Sequence, residues 1–378
     1  MALITLSPLN QRRWRNFKRN RRAVWSLWIF SILFGLSLLA EFIANDRPIV
    51  LQYRGEIYTP VFRMYPETTF NGFFATETNY RDPVAQCLIV TGGLEACDDD
   101  DSGDGARAIL DDLAAGRFDT ATPGFHQGWM LWPPIPYSYN TRVDRPGAAP
   151  LPPGEGNLLG TDAQKRDVMA RVIYGFRLSI LFTLIVTVLA STVGIIAGAL
   201  QGFFGGWLDL IFQRVIEIWN STPQLYVIII LFAILGRSFW LLVFVTVLFG
   251  WTALVGVVRA EFLRARNLEY VRAARALGVS NGTIMFRHML PNAMVATLTM
   301  LPFLVTGTIS LLAGLDFLGF GLPDSAPSLG ELTRQATQNL QAPWLAFTAF
   351  FTFAAMLSLL VFIFEGVRDA FDPRKTFS

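Results

Sequence analysis

Apolar residues in this chain come in long blocks that are separated by polar and charged intervals. A helix rises about 1.5 Å per residue, so about 20 apolar residues cross the roughly 30 Å hydrocarbon core of a membrane. Six blocks of about that length occur, at residues 24–43, 178–200, 216–235, 239–258, 293–312 and 345–364. The pattern predicts an all-α membrane protein with six transmembrane helices.

The basic residues predict on which side of the membrane each end lies. Seven cations and no acid occur in the first 23 residues: Arg12, Arg13, Arg15, Lys18, Arg19, Arg21 and Arg22. Basic segments beside spans stay in the cytoplasm, so we expect the N-terminus inside, and six spans return the C-terminus there. Trp25 and Trp28 suit an interfacial anchor, which favours an uncleaved first helix over a signal peptide. A nucleic-acid partner is disfavoured for an arm beside a span.

Composition agrees with this class and excludes two others. Hydrophobic residues make up 52% of the 378 residues and charged residues 16%, against about 25% charged in soluble proteins. None of the three lysines, Lys18, Lys165 and Lys375, lies in a G-x-x-x-x-G-K-[ST] loop, so this chain is not itself a P-loop ATPase. Two histidines and two cysteines are too few for a Cys/His zinc site. We expect no enzyme activity in this chain.

The interval between the first two apolar blocks has a different character. Residues 46–165 hold 17 acids and nine bases, and seven prolines lie between positions 133 and 153. Because this interval follows one span from an inside N-terminus, we expect it outside the cytoplasm. Cys87 and Cys97 both fall in it, and an oxidising compartment permits a disulfide between them. Two unpaired small hydrophobic residues are the alternative.

An acidic run follows the second cysteine. Asp98, Asp100 and Ser102 have the spacing of the first ligands of a calcium loop, but Ile109 stands where the bidentate glutamate belongs. A solvated acidic loop is the favoured interpretation, with calcium as the weak alternative. No metal site is predicted.

Residues 269–292 form a polar interval between the fourth and fifth apolar blocks. Six arginines and two acids occur over 259–288, which predicts the cytoplasmic side. Gly278 is expected to end a first short helix, and Ser280 to cap a second one that Pro291 stops. Four residues recur at helical spacing and are expected on one exposed face of the first helix: Tyr270, Ala273, Ala274 and Leu277.

This segment resembles the EAA loop of ABC-importer permeases, and the variant is most similar to dipeptide and oligopeptide permeases. Matching residues are Ala273, Ala274, Gly278, Leu290 and Pro291, whereas Arg272 stands where the family usually has Glu. The resemblance implies a coupling helix that docks into a groove of an ATPase subunit. The residues that it assigns to this docking are Glu269, Tyr270, Arg272, Ala273, Ala274, Leu277, Gly278, Leu290 and Pro291.

Two further segments resemble motifs of peptide-type permeases. Residues 157–180 share L-G-T-D, R-D and G-x-R-x-S elements, with Lys165 replacing a family glycine, and residues 314–344 share F-L-G and P-S-x-G elements. A juxtamembrane surface helix without ligand contact is the open alternative for 157–180. Residues predicted for the translocation path or its outer mouth are Asp162, Arg166, Asp167, Glu217, Pro223, Phe317 and Gly319.

Several residues are expected to shape the helices themselves. Thr161 or Asp162 is the predicted cap of the helix that leads into the second span. Pro223 and Pro302 either break a helix that lines the path or make packing kinks. Small residues should allow close helix packing at Gly194, Gly198, Gly250, Ala253 and Gly256.

The resemblance covers residues 157–373 and extends to the first span. It implies a type I ABC-importer permease core of five helices plus an N-terminal helix. The long insert and the basic arm look similar to Yej-type permeases for oligopeptides and microcin C. The expected segments are a cytoplasmic arm 1–23, helix 24–44, a periplasmic insert 45–165, a core 166–366 with coupling loop 259–292, and a cytoplasmic tail 367–378.

The resemblance implies half of the translocation path of an ATP-driven peptide importer in the bacterial inner membrane. Its partners would be a second homologous permease, ATPase subunits that bind ATP and Mg, a periplasmic peptide-binding protein and lipid, with no cofactor in this chain. The insert is expected to contact the binding protein or to roof the pore. An ion-coupled secondary transporter is the alternative, but it would need ionisable residues inside the spans and internal repeats. Charges here stand at span ends, as at Glu41 and Glu365.

Overall fold

The structure is a computed structural model that describes residues 8–98, 103–154 and 156–371. It divides into two compact units. One unit is Leu36–Tyr174, and the other combines the described residues before and after that stretch.

The elements are numbered here in chain order. The helices are α1 (Pro8–Arg19), α2 (Arg21–Leu38), α3 (Ala40–Ile43), α4 (Pro83–Thr91), α5 (Asp104–Ala114), α6 (Val168–Phe204), α7 (Gly206–Ser221), α8 (Gln224–Leu235), α9 (Phe239–Gly250), α10 (Thr252–Ala265), α11 (Glu269–Ala276), α12 (Asn281–Thr283), α13 (Leu290–Leu318), α14 (Leu329–Gln338) and α15 (Pro343–Phe371). The strands are β1 (Val50–Tyr53), β2 (Glu56–Tyr58) and β3 (Trp129–Leu131). Short 3-10 turns occupy Glu67–Phe70 and Glu95–Asp98, and a π-helical turn, Ile284–Met289, joins α12 to α13.

The long apolar helices confirm the predicted class of helical membrane protein. Among the described residues, five helical segments are long and apolar enough to cross a membrane, or six if one bent pair forms a single span. The five are Arg21–Leu38, Val168–Phe204, Phe239–Ala265, Asn281–Leu318 and Pro343–Phe371, and the bent pair is α7 with α8.

The third predicted span, 216–235, is not one straight helix. Helix α7 ends at Ser221, α8 begins at Gln224, and the two axes differ by 70°. Thr222 between them is extended, with φ −80° and ψ 120°, because a proline ring disfavours helical geometry in the residue that precedes it. Pro302 lies inside α13 without ending that helix. Of the two prolines singled out in the sequence, Pro223 is therefore the one at a helix break.

A small antiparallel sheet organises part of the Leu36–Tyr174 unit. The strand order is β2-β1-β3, and Leu51 of β1 is paired with Tyr58 on one side and Met130 on the other. Arg54 and Gly55 both have positive φ, 48° and 86°, as a tight hairpin turn requires. Leu51 and Tyr53 are buried on the inner face of β1.

Two hydrophobic clusters contribute to the core of this unit, beside a third one around Ala40 and Tyr174. The first is aromatic: the ring of Phe70 meets those of Tyr53, Tyr58 and Tyr80 edge-on, with the centroid of Tyr53 at 5.3 Å. The second surrounds a disulfide between Cys87 and Cys97, both buried, and includes Leu88, Leu94 and Ala106. The disulfide joins α4 to the 3-10 turn that follows it.

Removing this disulfide should destabilise the unit. Closure of a loop of 10 residues contributes about 2–3 kcal/mol by restricting the unfolded chain. We expect Cys87→Ser/Cys97→Ser to lower hydrogen-exchange protection of amides in α4 and α5 of the full chain, while amides in α13 and α15 keep theirs. Intact-mass measurement supplies the chemical check, since reduction should add the mass of two hydrogen atoms. An unchanged mass after reduction would contradict the disulfide.

Candidate functional site

The segment that resembles the EAA loop is a short helix held on the core by one side. In α11, Val271 is fully buried in a cluster with Phe203 of α6, Phe262 of α10 and Met289. The guanidinium of Arg275 lies 5.2 Å from the ring centroid of Phe203. These contacts fix α11 against the ends of two long helices.

The other side of α11 is exposed. The exposed fraction is 83% for Leu277 and 39% for Tyr270, and Ala273 lies between them. Glu269 and Arg272 are also exposed. Ala274 differs from the expectation, because it is half-buried and packs against the Val271 cluster. Ala274 lies at the boundary between the buried and the exposed side of α11, because this short helix rests closely on the core.

The turn after α11 has the predicted geometry. Gly278 has φ +75°, the left-handed conformation that favours glycine. Ser280 caps α12, since its Oγ accepts a hydrogen bond from the backbone N–H of Thr283. The prediction that Pro291 stops this helix is wrong, because a continuous helical segment runs from Asn281 to Leu318. Pro291 follows the π-helical turn at the first turn of α13, where its missing N–H costs little.

The last two predicted coupling residues lie beside this turn. Leu290 is half-buried against the Val271 cluster, whereas Pro291 is exposed. The side-chain amide of Asn292 donates a hydrogen bond of 3.3 Å to the hydroxyl of Tyr270. This contact ties the exposed end of α11 to the start of α13.

The helix before α11 is held by an ion pair that was not predicted from the sequence. Arg259 of α10 donates two hydrogen bonds to Asp209 of α7, Nε to Oδ1 at 2.5 Å and an Nη to Oδ2 at 2.7 Å. Paired, two-point contacts of this kind fix geometry as well as energy. The sequence carried little signal for it, because Asp209 and Arg259 each have other charged residues nearby and are 50 positions apart.

Glycines let α10 approach α6 closely. A Cβ on Gly198 would lie 2.8 Å from the carbonyl oxygen of Val255, and one on Gly202 would lie 2.6 Å from that of Arg259. Gly194 makes a similarly close approach to Trp251. Gly202 was not predicted, although it extends the four-residue spacing of Gly194 and Gly198. Gly256 was predicted for packing, and the structure places it on an open side of α10.

Gly194, Gly198 and Gly202 form a glycine stripe along α6. The other two predicted packing positions, Gly250 and Ala253, do not make such close contacts. A Cβ on Gly250 would make ordinary contact, 3.5 Å, with the Cβ of Ala190. Ala253 is exposed. Close backbone approach therefore depends on the glycines of α6.

The residues predicted from 157–180 form a buried polar network within the Leu36–Tyr174 unit. Asp162 accepts hydrogen bonds from Arg166 Nε at 2.7 Å and from the backbone N–H groups of Gln164 and Arg166. Arg171, fully buried, places its Nε 3.5 Å from the same carboxylate. The charges of Asp162 and Arg166 are satisfied inside the protein, which favours a positioning role for them.

Asp167 begins α6. Its Oδ1 accepts a hydrogen bond of 2.7 Å from the backbone N–H of Ala170, and its Oδ2 accepts one of 2.8 Å from the Asn157 amide. Asp167 therefore caps the helix, rather than Thr161 or Asp162 as expected, because those two side chains are used elsewhere. Burial raises the pKa of Asp167 above its usual value, against the lowering effect of these hydrogen bonds.

Residues near the helix break form an apolar cavity with few polar groups. It measures about 270 Å³ and lies between α8 and α13, lined by Leu225, Ile228, Ser310 and Leu311 among others. Gln224, which directly follows Pro223, also lines it, and its amide nitrogen is buried without a hydrogen-bond partner. Glu217 lies apart from this cavity, exposed and paired with Arg214 at 2.5 Å.

The 314–344 segment is held by a buried carboxylate that was not predicted. Asp316 accepts hydrogen bonds from the backbone N–H of Leu322 at 2.7 Å and from the hydroxyl of Ser328 at 2.5 Å. Ser328 in turn caps α14. Gly319, with φ +79°, ends α13, and Phe317 is partly exposed beside it. The C-terminal end of α13, where these two predicted residues lie, is thereby held against α14.

A metal site has no support in the described residues. No group of three or more His, Cys, Asp or Glu side chains there could hold a metal ion. Asp98 is partly exposed at the end of its 3-10 turn. Asp100 and Ser102, which belong to the weak calcium alternative, lie outside the described residues.

Comparison with known proteins now identifies the family. Residues 190–377 match the family described as binding-protein-dependent transport system inner membrane component, and residues 7–60 match the N-terminal TM domain of oligopeptide transport permease C. The chain is 52% identical to the peptidoglycan transport system permease protein YejE of Agrobacterium fabrum, covering 98% of this chain and 94% of that protein. This chain belongs to the permeases of peptide ABC importers.

Two other relatives support the same assignment. The permease is 50% identical to the inner membrane ABC transporter permease protein YejE of Escherichia coli, over 98% of each chain. It is 33% identical to the oligopeptide transport system permease protein OppC of Bacillus subtilis, over 60% of this chain and 74% of that one. The permease is thus a multi-pass inner-membrane transport subunit, and its relatives are named as permeases rather than as enzymes.

The glycine stripe on α6 yields a matched test. We expect Gly198→Leu to lower the thermal unfolding temperature of the detergent-purified permease, because the side chain would meet the α10 backbone, and overpacking typically costs about 1–3 kcal/mol. Gly256→Leu, on the open side of α10, is the control and should unfold close to the wild type. Equal behaviour of the two variants would contradict the close approach of α6 and α10.

Proposed function

We propose that this permease forms half of the translocation path of an ATP-driven oligopeptide importer and couples to the ATPase subunits through α11. The observation that carries the proposal is the exposure of Leu277, Tyr270 and Ala273 on a helix whose other side is anchored by Val271. A surface of this kind can receive a partner without first unfolding. The small side chain of Ala273 allows close approach of the partner's backbone.

The proposed topology places both termini and α11 in the cytoplasm. The basic arm precedes α2, and arginines flank α11, as expected for segments that stay inside. The Leu36–Tyr174 unit then lies in the periplasm, where the disulfide between Cys87 and Cys97 is chemically stable.

The proposed partners follow from this topology. A second homologous permease would complete the path, two ATPase subunits would bind ATP and Mg, and a periplasmic binding protein would deliver the peptide. Closure of the ATPase pair would push on α11, and α11 would act on α13 through the Tyr270–Asn292 contact and on α10 through the buried cluster. Alternating access would follow from these movements, with energy supplied by the partner subunits.

Two residue sets are proposed to contribute to the path. The broken helix at Pro223 and the adjacent cavity with Gln224 suit a path lining, because irregular backbone within a membrane is tolerated against protein or water. The loop carrying Phe317 and Gly319 suits the outer mouth. Asp162, Arg166 and Asp167 are proposed to orient the start of α6 rather than to touch the peptide.

The substrate is proposed to be a short peptide, with microcin C-like peptides as a further candidate. The Agrobacterium relative is named for peptidoglycan transport, so a peptide derived from peptidoglycan is the second substrate to test. Uptake of labelled tri- to pentapeptides by cells that lack or overproduce this permease, with and without an excess of a peptidoglycan peptide, would rank the two. None of the relatives reported above is named as an ion-coupled transporter.

Copurification tests the coupling surface directly. We expect an ATPase subunit in stoichiometric amount with the affinity-purified permease in mild detergent, identified by mass spectrometry. Leu277 is exposed in the permease and would be buried against the ATPase in the complex. Leu277→Asp should therefore reduce recovery of the ATPase by about tenfold or more, because the burial of one leucine side chain is lost. Leu277→Met should retain the ATPase. A permease that transports peptide with no ATPase present would point instead to the secondary transporter.

The turn at Gly278 yields a functional test. Gly278→Val is strained at φ +75° by about 1–2 kcal/mol, so α11 should be displaced and peptide uptake should fall by about tenfold. Gly282→Ala, four residues away at a position with open space, is the matched control and should leave uptake unchanged. Both proteins should elute as single species in size-exclusion chromatography. Normal uptake by the Gly278 variant would refute coupling through this turn.

A further inference from the structure

The basic N-terminal arm is fixed against the last turns of α15. Phe17 and Ala23 are buried in a cluster that includes Val367, Ala370 and Phe371. Over the Phe371 ring lies the guanidinium of another arm residue, Arg13, 4.3 Å from its centroid. Helix α1 therefore has a defined position beside the end of a transmembrane helix.

A cavity opens between the arm and α15. It measures about 450 Å³ and is lined on one side by Arg19, Asn20, Arg21 and Arg22. The other side is formed by Phe362, Glu365 and Asp369 of α15. The cavity thus combines three guanidinium groups with an aromatic ring and two carboxylates.

Among the residues that the structure describes, the arginines of this cavity have no anionic partner. Arg19, Arg21 and Arg22 are exposed, and none of them makes an ion pair with any residue of 8–98, 103–154 or 156–371. Asp369 does interact within the protein. The arm as a whole carries seven cations and no acid. The charges of Arg19, Arg21 and Arg22 are therefore not neutralised by any described residue.

The residues next to the cavity have the composition of a membrane–water interface. Helix α2 begins at Arg21, and its first turns expose Trp25 and Trp28 by 68% and 62%. Tryptophans on lipid-facing surfaces sit at the membrane–water interface. Beyond them, α2 exposes the apolar side chains of Ile29, Ile32 and Leu36, which suit contact with acyl chains.

We propose that this cavity binds the headgroup of an anionic phospholipid. The phosphate would receive hydrogen bonds from Arg19, Arg21 and Arg22, and the acyl chains would run along Phe362 and the apolar surface of α2. A lipid held in this way would join the N-terminal helix to α15. Because the carboxylates of Glu365 and Asp369 line the opposite side of the cavity, the phosphate would lie towards the three arginines.

Native mass spectrometry of the full-length permease in detergent tests the proposal. The probes are phosphatidylglycerol and phosphatidylethanolamine with identical acyl chains. Each arginine near an anionic lipid raises the binding affinity by a factor of about five. Arg21→Gln/Arg22→Gln should therefore lower the affinity for phosphatidylglycerol by about 25-fold. Arg264→Gln/Arg287→Gln, at two exposed arginines distant from the arm in sequence, is the matched control and should bind it as the wild type does.

Four further results bear on the proposal. The charge-conserving variant Arg21→Lys/Arg22→Lys should keep its preference for phosphatidylglycerol, even if the Gln variant inserts poorly. Equal retention of the two lipids by the wild-type permease would overturn the proposal. Equal loss of phosphatidylglycerol in both glutamine variants would also overturn it, because the effect would then be one of net charge alone. Loss of a copurified ATPase in the arm variant, with lipid binding unchanged, would assign the arm to the protein partner instead.

Discussion

Close approach of α6 and α10 is the constraint on which the position of α11 in this permease depends. Hydrocarbon offers helices no hydrophobic reason to associate, so backbone-to-backbone packing must supply it. Gly194, Gly198 and Gly202 remove the side chains that would hold the two helices apart. Because α10 leads within a few residues into α11, this packing also sets where α11 emerges. The Arg259–Asp209 pair then fixes the same helix against α7.

Features confined to one element were predictable from the sequence. The apolar blocks reveal spans because hydropathy belongs to each segment alone. Gly278 and Ser280 were predictable for the same reason, since turn and cap preferences are local. The break at Pro223 was half-predictable: the proline marks a possible break, but Pro302 carries the same local signal and lies in an unbroken helix. Neighbouring helices decide between the two outcomes.

The partners and the burial of individual side chains were not predictable in this way. Asp316 and Ser328 hold a loop to α14, yet in the sequence they are an acid near the end of an apolar block and an ordinary serine. Asp162 and Arg166 are conspicuous charges that invite a ligand-binding interpretation, and the structure satisfies both internally. Ala274 was predicted to be exposed and is half-buried, because the spacing of residues along a helix does not reveal how closely the helix packs on the core.

The π-helical turn at Ile284–Met289 has a mechanical consequence. Such a turn holds one residue more than an α-helical turn would. Passing that residue along the helix would rotate the preceding segment by about 100° about the axis of α13 and shift it by about 1.5 Å, with no loss of helix. A push on α12 that moved this residue would therefore become a rotation about the axis of α13.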